Sequence, residues 1–284
     1  MIASLTAHGW RLELLPEAGG SVAALKRGDR DILRPAPAGA RDPLTTACFP
    51  LVPYANRIAN GRFDFNGREI VLDVLDRFAP HALHGQGWLM PWQVEAQETD
   101  AITLLCRHAA GAWPWDWTAR QRFTLGEDGL NAELELTNES AGIMPAGLGF
   151  HPYFAAGPES VLEFEAKAVW LTGRDPVPVG RAAPEVLADW SAGARIADRP
   201  PVDHCYEGWP GQARMVAPGG NGVTVEASEN VRFLHVFTPA GADHACLEPV
   251  THRPDAVHGA AGEMPVLGPG ETVSLRMTIR AGQS

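Results

Sequence analysis

Apolar and polar residues alternate along most of the chain, the two-residue period of strands that bury one face. "WRLEL" sets Trp10, Leu12 and Leu14 on one side. "RFDFNGREIVL" reads as a hairpin around Asn66-Gly67, a dipeptide that tolerates the left-handed backbone of a two-residue turn. "RQRFTLGEDGLNAELELTN" repeats the design around Asp128-Gly129, with Leu130, Ala132, Leu134 and Leu136 alternating. "VLEFEAKAVWL", "VTVEAS", "RFLHVFTP" and "ETVSLRMTIRAG" show the same strand period. No long amphipathic helix is evident, although 184–194 has room for one turn or two. Many short strands separated by turn signals predict an all-β fold, a large antiparallel β-sandwich. Gly173 to Pro201 is rich in Pro, Ala and Arg and reads as a long excursion within one domain spanning 1–284.

Composition narrows the classes of partner. The chain has 284 residues, 45% of them hydrophobic, enough for a sizeable core. A net charge of -11 argues against nucleic acid or an anionic membrane as the main partner. No apolar run has the length of a membrane span, and the N-terminus does not read as a signal peptide, so a cytoplasmic location is expected. Cys48, Cys106, Cys205 and Cys246 are widely separated and read as buried thiols. Among 10 histidines no pair has clear metal-ligand spacing; His81 and His84, three apart, come nearest. Neither a metal nor a cofactor is expected.

Four stretches place polar groups in apolar company. "YANRIANGRF" holds Asn56 and Arg57, "HALHGQGW" holds His84 and Trp88, "GLGFHPYF" holds His151, and "ACLEPVTHRPDA" holds Glu248. Each has a bland explanation: a turn cap, a loop brace, a satisfied core histidine, a solvated strand end. Together they suit one chemistry. A carboxylate near an imidazole can take one proton while giving another. Arg and Asn can bond hydroxyl oxygens, and the flat face of Trp88 can pack on a sugar ring.

The ordered set "NRIANGRF", "LHGQGW", "GFHPYF", "VDHCYEGW" and "CLEPVTHRPDA", from about Leu51 to Ala256, resembles the aldose 1-epimerase (galactose mutarotase) family. The resemblance implies a sandwich with a sugar bound in a cleft across one sheet. It implies Glu248 as general base and His151 as general acid, with Arg57, His84 and Asp203 binding the sugar. The chain departs from the familiar pattern at His81, where Asn is common, in "CFPLVPYA" ahead of Asn56, and in "ADWSAG" within the excursion. These departures leave the presumed catalytic pair intact and bear on which sugar is bound, as expected of an outlying branch.

The expected reaction is therefore interconversion of the α and β anomers of a free aldose by acid–base ring opening and closure, by a monomer or a homodimer. The alternatives are a hexose-6-phosphate 1-epimerase, a carbohydrate-binding protein without turnover, and a glycoside hydrolase using Glu248 and Asp203. Arg57, Arg62 and Arg253 are the arginines in the motif stretches that could meet a phosphate.

Overall fold

A computed structural model describes residues 2–282 of the chain. Two large antiparallel sheets form the body. One has nine strands, in order Gln93–Gln97, Ala101–His108, Trp117–Leu125, Gly129–Asn138, Thr272–Ala281, Gly222–Ala227, Gln212–Val216, Val161–Phe164 and Ala194–Arg195. The other has eight, its path running Pro178–Ala182, Ala168–Thr172, Val202–Glu207, Phe233–Thr238, His244–Val250, Gly149–Phe150 and Pro50–Leu51, with Tyr153–Ala155 pairing beside His244–Val250. A four-stranded sheet over residues 3–31 covers one end.

The period-two pattern explains the packing. Trp10, Leu12 and Leu14 are fully buried, as are Ala132, Leu134 and Leu136, while Leu130 is 1% exposed. They join one continuous core with Leu234, Val236 and Leu247 of the eight-stranded sheet. The Asn66-Gly67 hairpin forms, with both residues at positive φ, joining Arg62–Phe65 to Arg68–Val71. The Asp128-Gly129 hairpin forms too, with Gly126 and Gly129 exchanging backbone hydrogen bonds at 2.8 and 3.3 Å, so Glu127 and Asp128 make the turn and Gly129 already begins the next strand.

One expectation needs correction. "VLEFEAKAVWL" is not one strand: Val161–Phe164 lies in the nine-stranded sheet and Ala168–Thr172 in the eight-stranded sheet. A crossing between sheets keeps the alternation on both sides, so periodicity alone cannot reveal it. The excursion from Gly173 to Pro201 supplies an edge strand to each sheet, Pro178–Ala182 and Ala194–Arg195. The helical turns expected near 184–194 reduce to a single short 3-10 turn at Pro184–Val186.

Candidate active site

Alternation has a second consequence in the eight-stranded sheet. Residues facing the main core are aliphatic, so their neighbours one position along point to the opposite face. Cross-strand register pairs Cys205 with His235 and His235 with Glu248. Gly149 faces Val250 and Tyr153 faces Cys246, which brings His151, midway between, opposite Glu248. One row across the sheet therefore reads Cys205, His235, Glu248, His151. In the adjacent row lie Asp203, Phe237, Cys246 and Tyr153.

A short strand pair supplies the other wall. Arg57 pairs with Leu83, so Asn56 and His84 leave the ladder side by side at its end. The Asn56 N–H donates to His84 Nδ1 at 3.0 Å, which leaves the His84 proton on Nε2. Asn56, His84 and Gly85 all take positive φ here. A Cβ on Gly85 would lie 2.4 Å from the Val52 carbonyl oxygen, so only glycine lets the loop pass.

These walls enclose a cavity of about 180 Å³ lined by Asn56, Arg57, His84, His151, Asp203 and Glu248, with His235, Tyr153, Phe237, Leu44, Phe78 and Leu83. Six of the seven residues singled out in the sequence thus converge. Trp88 does not. It is fully buried, stacks on Phe49 at 5.4 Å and donates its indole N–H to the Gly85 carbonyl at 3.0 Å, so it braces the His84 loop and offers no face to a ligand. Arg62 and Arg253 also lie elsewhere, paired with Glu69 and Glu263. His81 braces its loop, accepting from the Asn60 N–H at 3.1 Å and meeting Asp175. A larger groove of about 710 Å³, lined by Glu163, Gln212, Arg214 and Glu226 among others, contains no histidine or cysteine.

At the centre, His151 Nε2 lies 3.3 Å from Glu248 Oε1. Glu248 is 2% exposed and His151 8%. The His151 ring packs against Phe49 at 4.6 Å and Tyr153 at 4.7 Å, two rings that also neighbour each other at 6.3 Å, which restrains its plane. Its Nδ1 is buried with no hydrogen-bond partner in the protein. Burial pushes the Glu248 carboxyl up to about 8, against the His235 charge that favours its ionised form. Burial, then the positive field of His235, pushes His151 down to about 3. His84 is likewise held well below the ordinary imidazole range by burial and by His151 and Arg57.

His235 differs. Its Nε2 contacts Asp203 Oδ1 at 2.7 Å. Burial opposes its charge, but Glu248, Asp203 and the Cys205 sulfur outweigh burial and hold it well above the ordinary range. Burial also opposes ionisation of Asp203, yet His235 and then Arg57 bring its carboxyl down to about 2. His235 was not legible as a site residue in "RFLHVFTP", since nothing along one strand says which residue it will face. A histidine between two phenylalanines at period two was the available signal.

The register also brings His151, Cys246 and Glu248 together, with ligand-type atoms within 4.8 Å of one another. Spacing along the chain could not display this trio, because His151 and Glu248 are 97 residues apart (248 − 151). Burial and the Glu248 carboxylate push the Cys246 thiol well above its ordinary range, so a cation there would have to displace a tightly held proton.

Known proteins share this architecture. A family profile described as aldose 1-epimerase matches residues 5–280. An uncharacterised Escherichia coli K12 protein, YphB, is 33% identical over 287 residues, covering 96% of each chain. The crystal structure of an Escherichia coli K12 protein provisionally named an aldose 1-epimerase superimposes with a TM-score of 0.90 at 30% identity, covering 99% of each chain. A galactose mutarotase-like protein from Clostridium acetobutylicum gives a TM-score of 0.89 at 17% identity, covering 99% of this chain and 95% of its own, a likeness of fold.

Proposed function

Since the chain belongs to the aldose 1-epimerase family, we propose that it interconverts the α and β anomers of a free, uncharged aldose. The observation that carries this reading is the 3.3 Å contact between His151 and Glu248, buried in a cavity that Arg57, Asn56, His84 and Asp203 also line. Glu248 takes the proton of the C1 hydroxyl while His151 gives one to the ring oxygen. The bond between C1 and the ring oxygen breaks as the C1 carbonyl forms. The aldehyde turns about the C1–C2 bond and closes on its other face, returning both protons. Nothing is oxidised or reduced, and no metal is required.

The protonation states suit this cycle. Over the neutral range the pair holds one proton, because the carboxyl keeps its proton and the imidazole refuses a second. Moving that proton from Oε1 to Nε2 gives carboxylate and imidazolium, the base and acid the reaction needs. Burial disfavours the imidazolium, which makes it a strong donor once it forms. In this reading Arg57, Asn56 and the His84 Nε2–H, which line the cavity, donate to sugar hydroxyls and Asp203 accepts from one.

Arg57 is the only arginine or lysine among the lining residues. A phosphate dianion is usually gripped by several cationic or backbone donors. That supports a neutral sugar over a 6-phosphate. Polarimetry of freshly dissolved α-anomers of several aldoses tests the proposal: the approach to anomeric equilibrium is expected to accelerate in proportion to added protein. No acceleration with any aldose would refute it.

A further inference from the structure

Cys246 stands beside the two residues that exchange the proton and takes no part in that exchange. It lies two positions before Glu248 on the same face of His244–Val250, in register between Phe237 and Tyr153, which both line the cavity. A ring nitrogen of His151, the Cys246 sulfur and a carboxylate oxygen of Glu248 lie within 4.8 Å of one another, and all three side chains are buried. We propose that this trio is a binding site for a thiophilic divalent cation of the zinc class, and that the bound metal inhibits anomerisation by occupying the acid and the base together. The inhibition rests on the function proposed above; the metal site does not.

The donor set selects the metal. Imidazole nitrogen, thiolate and carboxylate together suit Zn2+, whereas Mg2+ and Ca2+ take oxygen ligands. Zinc holds nitrogen and oxygen at about 2.0–2.2 Å in a tetrahedral array, which puts two such ligands about 3.3–3.5 Å apart. His151 Nε2 and Glu248 Oε1 are already 3.3 Å apart. A zinc-bound sulfur stands about 3.6 Å from such a neighbour, so Cys246 has roughly 1 Å to close. Thiolate and carboxylate neutralise the two charges of the metal, so its burial leaves no net charge behind. Three protein ligands leave a fourth position, as in zinc sites that stay open to a ligand. Here it opens on the cavity that His151 and Glu248 line.

The same geometry makes the metal a reversible inhibitor. Coordination sends to water both the Cys246 thiol proton and the proton that Glu248 and His151 share, so neither residue can then serve the sugar. A tightly held zinc usually has the far nitrogen of its histidine tied to an outer acceptor. His151 Nδ1 is buried with no partner in the protein. The trio therefore holds zinc less firmly than a fully supported site and yields it to a strong chelator.

Cobalt(II) reports such a site, because a thiolate bound to it gives an intense charge-transfer band in the near ultraviolet. Chelator-treated wild type titrated with Co2+ is expected to develop that band, and a single equivalent of Zn2+ to abolish it. The band should vanish in Cys246→Ser and persist in Cys205→Ser, whose side chain lies two strands from Glu248. Losing an outer-shell partner already costs about 10–100-fold in metal affinity, so losing the thiolate should weaken Zn2+ by about 10²-fold or more. No band in wild type, or a band that survives in Cys246→Ser, overturns the site. Should Cys246→Ser not fold, Glu248→Gln and His151→Asn decide: each should weaken Co2+ binding by about tenfold or more, and unchanged binding in both overturns it.

Polarimetry reads the inhibition. Added Zn2+ is expected to raise the apparent KM with kcat at saturating sugar unchanged, to be reversed by EDTA, and to affect Cys246→Ser far less. Zinc that binds at the trio yet leaves the rate unchanged, or raises it, overturns the inhibitory role. If the cobalt band behaves as expected but metal-free wild type moves no sugar anomer, the metal site stands and the function proposed above fails.

Discussion

Burial pushes Glu248 and His151 in opposite directions, and the proposed reaction has them share one proton. Replacing Glu248 by Gln keeps its size but removes the proposed base, and replacing His151 by Asn removes the proposed acid. Each change is expected to lower kcat by roughly 10²–10⁴-fold with a smaller effect on KM, measured by polarimetry on variants confirmed as folded. The pH profile belongs to the pair. A second proton binds only as pH falls toward about 3, where His151 is held, and the last leaves as pH rises through about 8, where Glu248 is held. Activity should therefore be broad across neutrality and fall on the alkaline side near the upper value; a profile that still rises above it would contradict the shared-proton assignment. Asp203→Asn is expected to raise KM and also to lower kcat, since Asp203 both borders the cavity and holds His235. The residues lining the cavity differ in legibility: Glu248, His151, Arg57, Asn56, His84 and Asp203 lie in recognisable motifs, whereas His235 lies in an ordinary strand. The role of Trp88 was misread because an indole in a polar motif looks the same whether it faces the ligand or backs the loop.

Elements place these groups through two local devices. The strand His244–Val250 turns Leu247 to the core and Glu248 to the cavity, and its pairing on both sides aligns His235 and His151 with the carboxylate. The other device is the loop entering Gly85, where the backbone passes against Val52. Gly85→Ala combines a positive φ with a close approach of 2.4 Å to the Val52 oxygen, so the loop must shift and carry His84 with it. Its expected signature is a lower melting temperature together with weaker sugar binding, read by thermal unfolding and by KM; unchanged values in both would show that His84 does not depend on this turn. Hairpins such as Asn66-Gly67 were legible because turn chemistry is local. The division of "VLEFEAKAVWL" between sheets was not, because a strand's partner is chosen by packing of distant residues.

The whole molecule sets charge and chemistry at the site. With Arg57 as the lone arginine or lysine at the cavity, kcat/KM should be higher for glucose than for glucose 6-phosphate; the reverse ranking would favour a sugar-phosphate epimerase. Proton transfer between Glu248 and His151 needs no Lewis acid, so dialysis against a strong chelator is expected to leave turnover unchanged. A loss restored by zinc would instead assign the His151, Cys246 and Glu248 trio a catalytic metal. Among the described residues no helix is long and apolar enough to cross a membrane.

The amino-acid sequence by itself determined the strand-rich character, the aliphatic core face, the turn positions and the ordered motifs that carry the family resemblance. Each of these depends on residues near one another in the chain: side chains alternate along a strand, and a two-residue turn needs its own two residues. Tertiary structure alone decided the cross-strand register, and with it the row Cys205, His235, Glu248, His151. It also decided that Trp88 lies behind the cavity and that the excursion lends an edge to each sheet. Register and burial depend on how distant segments share one interior, and those same distances and that same loss of water set the proton affinities of Glu248, His151 and His235.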